Sequence, residues 1–127
     1  ITTEHLMKIP DTLGDPWFLY VNSEIIIIEE GQFFTDLKEF VLKAVETDNK
    51  HVIVAGLSGD FRREPFGQVL DLIPLANHIH MITAFCKICN DGTEANFTKR
   101  IERTQSETII VGSEDIYMPV CRKHYLE

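Results

Sequence analysis

Residues 25–34 decide the fold of this chain and read Ile-Ile-Ile-Ile-Glu-Glu-Gly-Gln-Phe-Phe. A short run of β-branched apolar residues is typical of a strand that is buried on both faces, as in the middle of a parallel sheet. Glu29 and Glu30 follow directly, at the carboxyl edge where open α/β sheets bind their ligands. Carboxylates at this place can help to hold magnesium or accept a proton, or they can simply cap the strand and face water.

An amphipathic helix and a second strand are predicted after this stretch. Thr35 is a good helix N-cap, and apolar residues then recur at three- and four-residue steps until the helix is expected to end near Asp48. Residues 51–55 contain another short apolar run, Val-Ile-Val-Ala after His51, and the range predicts a second buried strand. Because a helix connects the two strands, we expect them to lie parallel in a crossover unit.

The remaining elements are less sharply defined by the sequence. Residues 17–21 suit either a strand or a helix, and the sequence leaves both open. Residues 69–75 predict a short helix that ends at Pro74 or just after it. Residues 79–85 and 108–111 predict two further strands.

The composition is that of a soluble globular protein, and 127 residues suffice for one domain with room for a small appendage. A net charge of -8 argues against binding nucleic acid through its phosphates. No apolar run approaches the roughly 20 residues that cross a bilayer, so no membrane partner is expected. The sequence begins at Ile1 rather than at Met, which leaves open whether a targeting signal or another segment precedes it.

Four residues near the C-terminus have the spacing of a zinc site. Cys86 and Cys89 are separated by two residues, and Cys121 and His124 repeat that gap. Three thiolates and one imidazole form an ordinary structural zinc site, in which no position is left for a reacting water. The competing interpretation is a redox Cys-x-x-Cys with Cys121 merely buried. A metal would close the intervening segment into a loop, which could be a lid over a small ligand or a rigid hairpin.

The ordered series of motifs resembles the zinc-containing type II thymidine kinases of animal cytosol, bacteria and large DNA viruses. The resemblance runs from the isoleucine strand to the C-terminus and is carried by residues 29–34, 52–59, 61–67, 72–76, 83–89, 98–100 and 117–125. It implies an α/β fold with a P-loop-type, mostly parallel sheet and helices, plus a small zinc-bound β subdomain that carries a lasso loop. We therefore expect an α/β nucleotide-binding domain at residues 1–84 and a zinc and lasso subdomain at residues 85–127.

The resemblance also implies an activity. Members of the family transfer the γ-phosphate of ATP, bound with Mg²⁺, to the 5′-hydroxyl of thymidine or deoxyuridine in pyrimidine salvage. It implies a homotetramer in the cytoplasm, and it makes thymidine triphosphate a candidate feedback inhibitor.

Individual roles follow from the same resemblance. Glu30 matches the general base, and Glu29 matches an acid, usually aspartate, that helps to order magnesium. His124 takes the fourth zinc position, where many members have cysteine. The positions that match the nucleoside pocket comprise apolar side chains, a lasso threonine and a backbone segment that meets the base: Phe33, Leu57, Phe61, Phe66, Thr98, Val111, Gly112 and Tyr117.

One family motif does not occur in this sequence. The phosphate-binding run Gly-x-x-x-x-Gly-Lys-Ser/Thr is absent, although its backbone amides and lysine would normally cradle the triphosphate. We therefore expect the chain to be the C-terminal part of a kinase that cannot bind ATP alone. The alternatives are a non-catalytic, zinc-stabilised nucleoside- or partner-binding module and an interaction domain without a nucleotide site.

Overall fold

The computed structural model describes Leu6, residues 16–101 and residues 116–127, without the side chains of residues 16 and 17. The predicted strand at residues 108–111 lies outside these ranges. The chain packs as two compact units, Ile1–Ser58 with Pro65–Ile79 and Gly59–Glu64 with His80–Glu127, which we call the first and second units. None of the described helices has the length and apolar character needed to cross a membrane.

The first unit is built around one parallel strand pair. Its elements in chain order are helix α1 (Pro16–Asn22), strand β1 (Ile25–Ile28), a 3-10 turn (Gly31–Phe33), helix α2 (Leu37–Leu42) with a π-helical extension (Lys43–Thr47), strand β2 (His51–Val54) and a 3-10 helix (Leu70–Leu75). Strand β1 pairs with β2 in parallel, with Ile28 opposite Val54. The predicted crossover unit is therefore confirmed.

The prediction that the isoleucine strand is buried on both faces is wrong. Only Ile28 is fully buried, whereas Ile25 and Ile27 remain 59% and 68% exposed. Side chains alternate along a strand, and α2 packs against one face of the pair through Leu37 and Phe40. The described residues leave the other face, which also carries Ile53, open to solvent. The predicted burial of the second strand is therefore also wrong, since no residue of β2 is fully buried.

Helix α2 begins one residue later than predicted. Asp36 rather than Thr35 is its N-cap, and Asp36 makes no side-chain capping bond. Its Oδ1 instead accepts a hydrogen bond of 2.9 Å from the backbone N–H of Leu6. The predicted end near Asp48 is correct, because the π-helical extension stops at Thr47 and Asp48 receives hydrogen bonds from the Tyr20 hydroxyl and the Lys43 ammonium.

The other sequence predictions for the first unit have mixed outcomes. Residues 17–21, which the sequence left open, are helical within α1. The short helix is a 3-10 helix, and it ends at Leu75 just after Pro74, as predicted.

Only the end of the predicted strand at residues 79–85 forms. It is reduced to strand β3, Ala84–Phe85, and residues 79–83 join no ladder in the described part of the chain. Met81 and Ile82 are 82% and 89% exposed, so the apolar content that suggested a strand has no packing partner there.

The second unit is a small antiparallel β structure. After β3 it contains β4 (Glu94–Ala95), β5 (Phe97–Ile101), β6 (Ile116–Val120) and helix α3 (Arg122–Leu126). Strand β3 pairs with β4, and β5 pairs with β6. Its core is small and consists of Cys86, Ala95 and Val120.

Replacing Leu37 by Ala should lower the free energy of unfolding by about 2–5 kcal/mol, because its fully buried side chain would leave a cavity against β1. Chemical denaturation of the chain measures this loss. The matched control is Val45→Ala in the same helical segment, where the side chain is 37% exposed and a loss below about 1 kcal/mol is expected. Equal losses for the two variants would contradict the assignment of the core.

Candidate functional site

The four predicted metal ligands converge in the second unit. One ligand atom from each of Cys86, Cys89, Cys121 and His124 lies within 4.8 Å of all the others. The Nδ1 atom of His124 is 3.5, 3.3 and 3.4 Å from the three sulfur atoms in that order, and the sulfurs of Cys89 and Cys121 are 3.8 Å apart. Zinc at about 2.3 Å from sulfur and about 2.0 Å from nitrogen would separate tetrahedral corners by roughly 3.5–3.8 Å. The cluster thus has the dimensions of a tetrahedral metal site.

The first ligand pair lies on a tight knuckle. The N–H of Asn90 donates to the carbonyl of Cys86 at 3.0 Å, and Asn90 and Gly92 adopt positive φ angles of 52° and 88°. The carboxylate of Asp91 accepts hydrogen bonds from the N–H and the hydroxyl of Thr93 at 3.0 and 2.6 Å. The N–H of Cys86 donates to the carbonyl of Thr93 at 2.7 Å and closes the loop. The local sequence therefore brings the two sulfurs together through backbone bonds and an Asx turn.

The second ligand pair uses the start of a helix. Cys121 immediately precedes α3, so one helical turn returns His124 to the same side. The N–H of Lys87 donates to the carbonyl of Pro119 at 3.1 Å and ties the knuckle to β6. The Lys99 ammonium donates to the carbonyl of His124 at 2.7 Å, which fixes the helix against β5.

The thiols are electrostatically unequal. Burial raises the pKa of the Cys86 thiol, but hydrogen bonds from the backbone of Cys89, Cys121 and Ile88 and from the His124 side chain together outweigh burial and bring that pKa down to about 6. Burial, together with the neighbouring thiols, raises the pKa of Cys89 to about 11. A divalent cation would offset the repulsion that opposes full ionisation, since the thiolate is the form that binds metal. The approach of His124 to all three sulfurs favours a metal site over a redox pair, which would need only Cys86 and Cys89.

The structure places Glu29 and Glu30 at the carboxyl end of β1, and both side chains are exposed. Glu30 adopts left-handed backbone angles, φ 52° and ψ 43°, which cost a residue with a Cβ about 1–2 kcal/mol. The turn is held by a 2.9 Å hydrogen bond from the N–H of Gly31 to the carbonyl of Ala55. A Cβ on Gly31 would lie 2.8 Å from Cγ1 of Val54, so this close approach requires glycine. The acids are therefore held in a fixed turn against the end of β2.

Sequence reasoning assigned no role to Gln32, which is 4% exposed and lies beside these acids. Its Nε2 donates to the carboxylate of Glu30, and its Oε1 accepts the N–H of Leu57 at 3.0 Å. The sequence shows that Gln32 follows Glu29, Glu30 and Gly31, but it does not show which groups the amide of Gln32 bonds to.

The predicted nucleoside residues are divided between the two units. In the first unit the rings of Phe33 and Phe66 meet edge to face at 5.4 Å, and the side chain of Leu57 is 48% exposed. In the second unit the rings of Phe61 and Tyr117 lie 5.9 Å apart.

The neighbourhood of Phe61 also carries positive charge. Arg100 lies 5.3 Å from the Phe61 ring, and Thr98 is paired with Pro119 in the β5–β6 hairpin. Phe61, Lys99, Arg100 and Tyr125 line a shallow depression in the second unit. The predicted backbone segment at Val111 and Gly112 lies outside the described residues.

Comparison with known proteins identifies the family. A family model described as thymidine kinase matches residues 16–125. This chain belongs to the thymidine kinase family. It is 47% identical over 122 residues to a thymidine kinase of Oryza sativa subsp. japonica, a match that covers 96% of this chain and 43% of the relative.

Two further relatives lead to the same family. Thymidine kinase a of Arabidopsis thaliana is 46% identical over 121 residues, covering 95% of this chain and 49% of the relative. A thymidine kinase of vaccinia virus, strain Western Reserve, is 45% identical over 104 residues, covering 81% and 56%. The chain thus spans about half the length of the curated relatives it matches. The resemblance inferred from the motifs is confirmed, and the match to the thymidine kinase model includes both the acidic turn and the metal cluster.

We expect about one zinc ion per chain by metal analysis, and Cys121→Ala should abolish stoichiometric binding because the remaining ligands cannot complete the tetrahedron. The chain should also lose thermal stability, since the second unit has a small apolar core. Lys123→Ala, an exposed change in the same short helix, is the control and should retain zinc. A Cys121→Ala chain with a full complement of zinc would contradict the proposed ligand set.

Proposed function

We propose that the protein carrying this chain is a thymidine kinase that transfers the γ-phosphate of ATP to the 5′-hydroxyl of thymidine or deoxyuridine. The observation that carries this proposal is the match to the thymidine kinase family over residues 16–125. Relatives named thymidine kinase share 45–47% identity with the chain over ranges that cover 81–96% of it. The exposed acids at a strand end and the metal cluster agree with such an enzyme.

Glu30 is proposed as the general base. Its exposed carboxylate lies at the carboxyl end of a parallel strand, the usual position for ligand binding in α/β sheets. A carboxylate in hydrogen-bond reach of the 5′-hydroxyl orients that oxygen and accepts its proton as the phosphoryl group is transferred. Glu29 is proposed to help order the Mg²⁺ that accompanies ATP. Its side chain is one methylene longer than that of the aspartate usual in the family.

The nucleoside is proposed to contact aromatic and aliphatic side chains. Flat rings and a branched aliphatic group offer area to a planar pyrimidine without demanding hydrogen bonds. Thr98 is proposed to lie beside the base methyl group, and the backbone at Val111 and Gly112 is proposed to recognise the base edge. The apolar contacts are assigned to Phe33, Leu57, Phe61, Phe66 and Tyr117.

The metal is proposed to be a structural zinc ion. The donor set of Cys86, Cys89, Cys121 and His124 would fill all four tetrahedral positions and leave none for substrate or water. When bound, zinc would hold both ends of the intervening lasso segment in place. The zinc ion is therefore given no part in phosphoryl transfer, which is assigned to Glu29 and Glu30 of the first unit.

The wider organisation is proposed from the family resemblance. The parallel pair of β1 and β2 is consistent with a P-loop-type, mostly parallel sheet in a domain at residues 1–84, with a zinc and lasso subdomain at residues 85–127. A homotetramer in the cytoplasm, subject to feedback by thymidine triphosphate, completes the proposal.

A non-catalytic nucleoside-binding module is the second candidate. No Gly-x-x-x-x-Gly-Lys-Ser/Thr run occurs in the 127 residues of this chain, and such a module would bind the nucleoside without a triphosphate site. Calorimetry of this chain with thymidine and with ATP separates the two candidates when it is read beside a phosphoryl-transfer assay on the intact protein. Thymidine binding with no transfer by the intact protein would support the module.

Glu30→Gln in the intact protein should lower kcat by about 10²–10⁴-fold, because the amide cannot accept the hydroxyl proton. Thymidine affinity should change little, since the amide keeps the size of the side chain. A coupled phosphoryl-transfer assay and calorimetry measure the two quantities. Glu24→Gln, which removes an exposed carboxylate just before β1, is the control, and ordinary turnover by Glu30→Gln would contradict the base assignment.

A further inference from the structure

Gln32 is the one buried polar side chain among the described residues. Its amide spans two different partners, the exposed carboxylate of Glu30 and the backbone N–H of Leu57. A buried amide must satisfy its donor and its acceptor, and here both are used. Gln32 therefore connects the backbone at Leu57 to the Glu30 carboxylate, which is proposed as the base.

The orientation of this amide is determined by its surroundings. The backbone N–H of Leu57 can only donate, so Oε1 of Gln32 must face it at 3.0 Å. The Nε2 group is therefore directed to the other side, where it donates to Oε2 of Glu30. A reversed amide would place two donors against each other at Leu57 and two acceptors against each other at Glu30.

The backbone around Gln32 leaves little room for displacement. Gly67 has a φ angle of +57°, and a Cβ there would lie 2.2 Å from the carbonyl oxygen of Gln32. A Cβ on Gly56 would lie 2.8 Å from Oε1 of the same residue. Two glycines thus allow the chain to close around Gln32, and the amide acts as a fixed support.

The Glu30 side chain needs such a support. It is exposed, and a long side chain without restraint populates several rotamers. A carboxylate has two oxygens that can each accept more than one hydrogen bond. The bond to Oε2 restrains the group and leaves Oε1 available to a substrate hydroxyl.

We propose that Gln32 is the positioning residue that orients the Glu30 carboxylate for proton acceptance from the substrate hydroxyl. The inference rests on the proposed kinase function. Gln32 acts through Glu30 and contacts no reacting atom. The competing explanation is that Gln32 only ties the turn to the segment at Leu57, in which case its effect would not depend on Glu30.

A double-mutant cycle in the intact protein separates the two explanations. Gln32→Met removes both hydrogen bonds at similar size, and it should lower kcat by about 10–100-fold while KM for thymidine changes by less than about threefold. In the Glu30→Gln background the same change should lower kcat by less than about twofold, because there is no longer a base to orient. An equal factor in both backgrounds would overturn the inference.

Gln68→Met provides the matched control. Gln68 is also a bridging glutamine of the first unit, with its amide bonded to the carbonyl of Thr35 at 2.7 Å and to the N–H of Lys38 at 2.9 Å. It contacts no carboxylate in these bonds, so its loss should lower the thermal midpoint without lowering kcat. A comparable fall in kcat would indicate that loss of any bridging amide impairs the unit, and it would count against the positioning role.

Gln32→Glu keeps the inference testable if Gln32→Met fails to fold. The glutamate can still accept the N–H of Leu57, but its carboxylate cannot donate to Glu30. The kcat of Gln32→Glu should fall at least tenfold, because Glu30 would no longer be held in position. Thymidine binding should be retained. Full turnover by Gln32→Glu would overturn the inference. A wild-type protein that phosphorylates no nucleoside would remove the proposed function itself, which distinguishes that failure from failure of the positioning role alone.

Discussion

Ala55 clamps the end of β1 with both of its backbone groups. Its N–H donates to the carbonyl of Ile28, and its carbonyl accepts the N–H of Gly31, each at 2.9 Å. Because both bonds go to the same residue, Glu29 and Glu30 between them cannot stay extended along β2, and they form a short turn. The left-handed backbone of Glu30, the close approach of Gly31 to β2 and the burial of the next side chain all follow from this clamp. The acidic edge is thus a consequence of strand pairing.

The second unit depends on a different constraint. Its apolar core contains few fully buried residues, and one of them is Cys86, a proposed metal ligand. Small cores supply little net stability, and metal sites commonly make up the difference. Backbone bonds bring the two ligand pairs within reach of one ion. Burial and the neighbouring thiols raise the pKa of the Cys89 thiol, and a bound cation would offset both effects.

The sequence predicted those parts that depend on local pattern. The parallel crossover follows from a strand, an amphipathic helix and a second strand, and the metal cluster follows from two matched gaps between ligands. Burial on both faces of β1 and a long third strand were wrong, because an apolar run does not reveal which partners cover it. Gln32 was missed for a related reason, since its two partners are set by tertiary contacts. Residue roles in nucleoside binding remain predictions.

The open face of the β1–β2 pair has a practical consequence for handling the isolated chain. Ile25, Ile27 and Ile53 present branched aliphatic groups to water at 59%, 68% and 47% exposure. An exposed apolar surface of this kind favours self-association, because contact between two copies removes apolar area from water. Strands rich in β-branched residues are prone to such association. Precipitation at high concentration, relieved by mild detergent, is the behaviour that this surface favours.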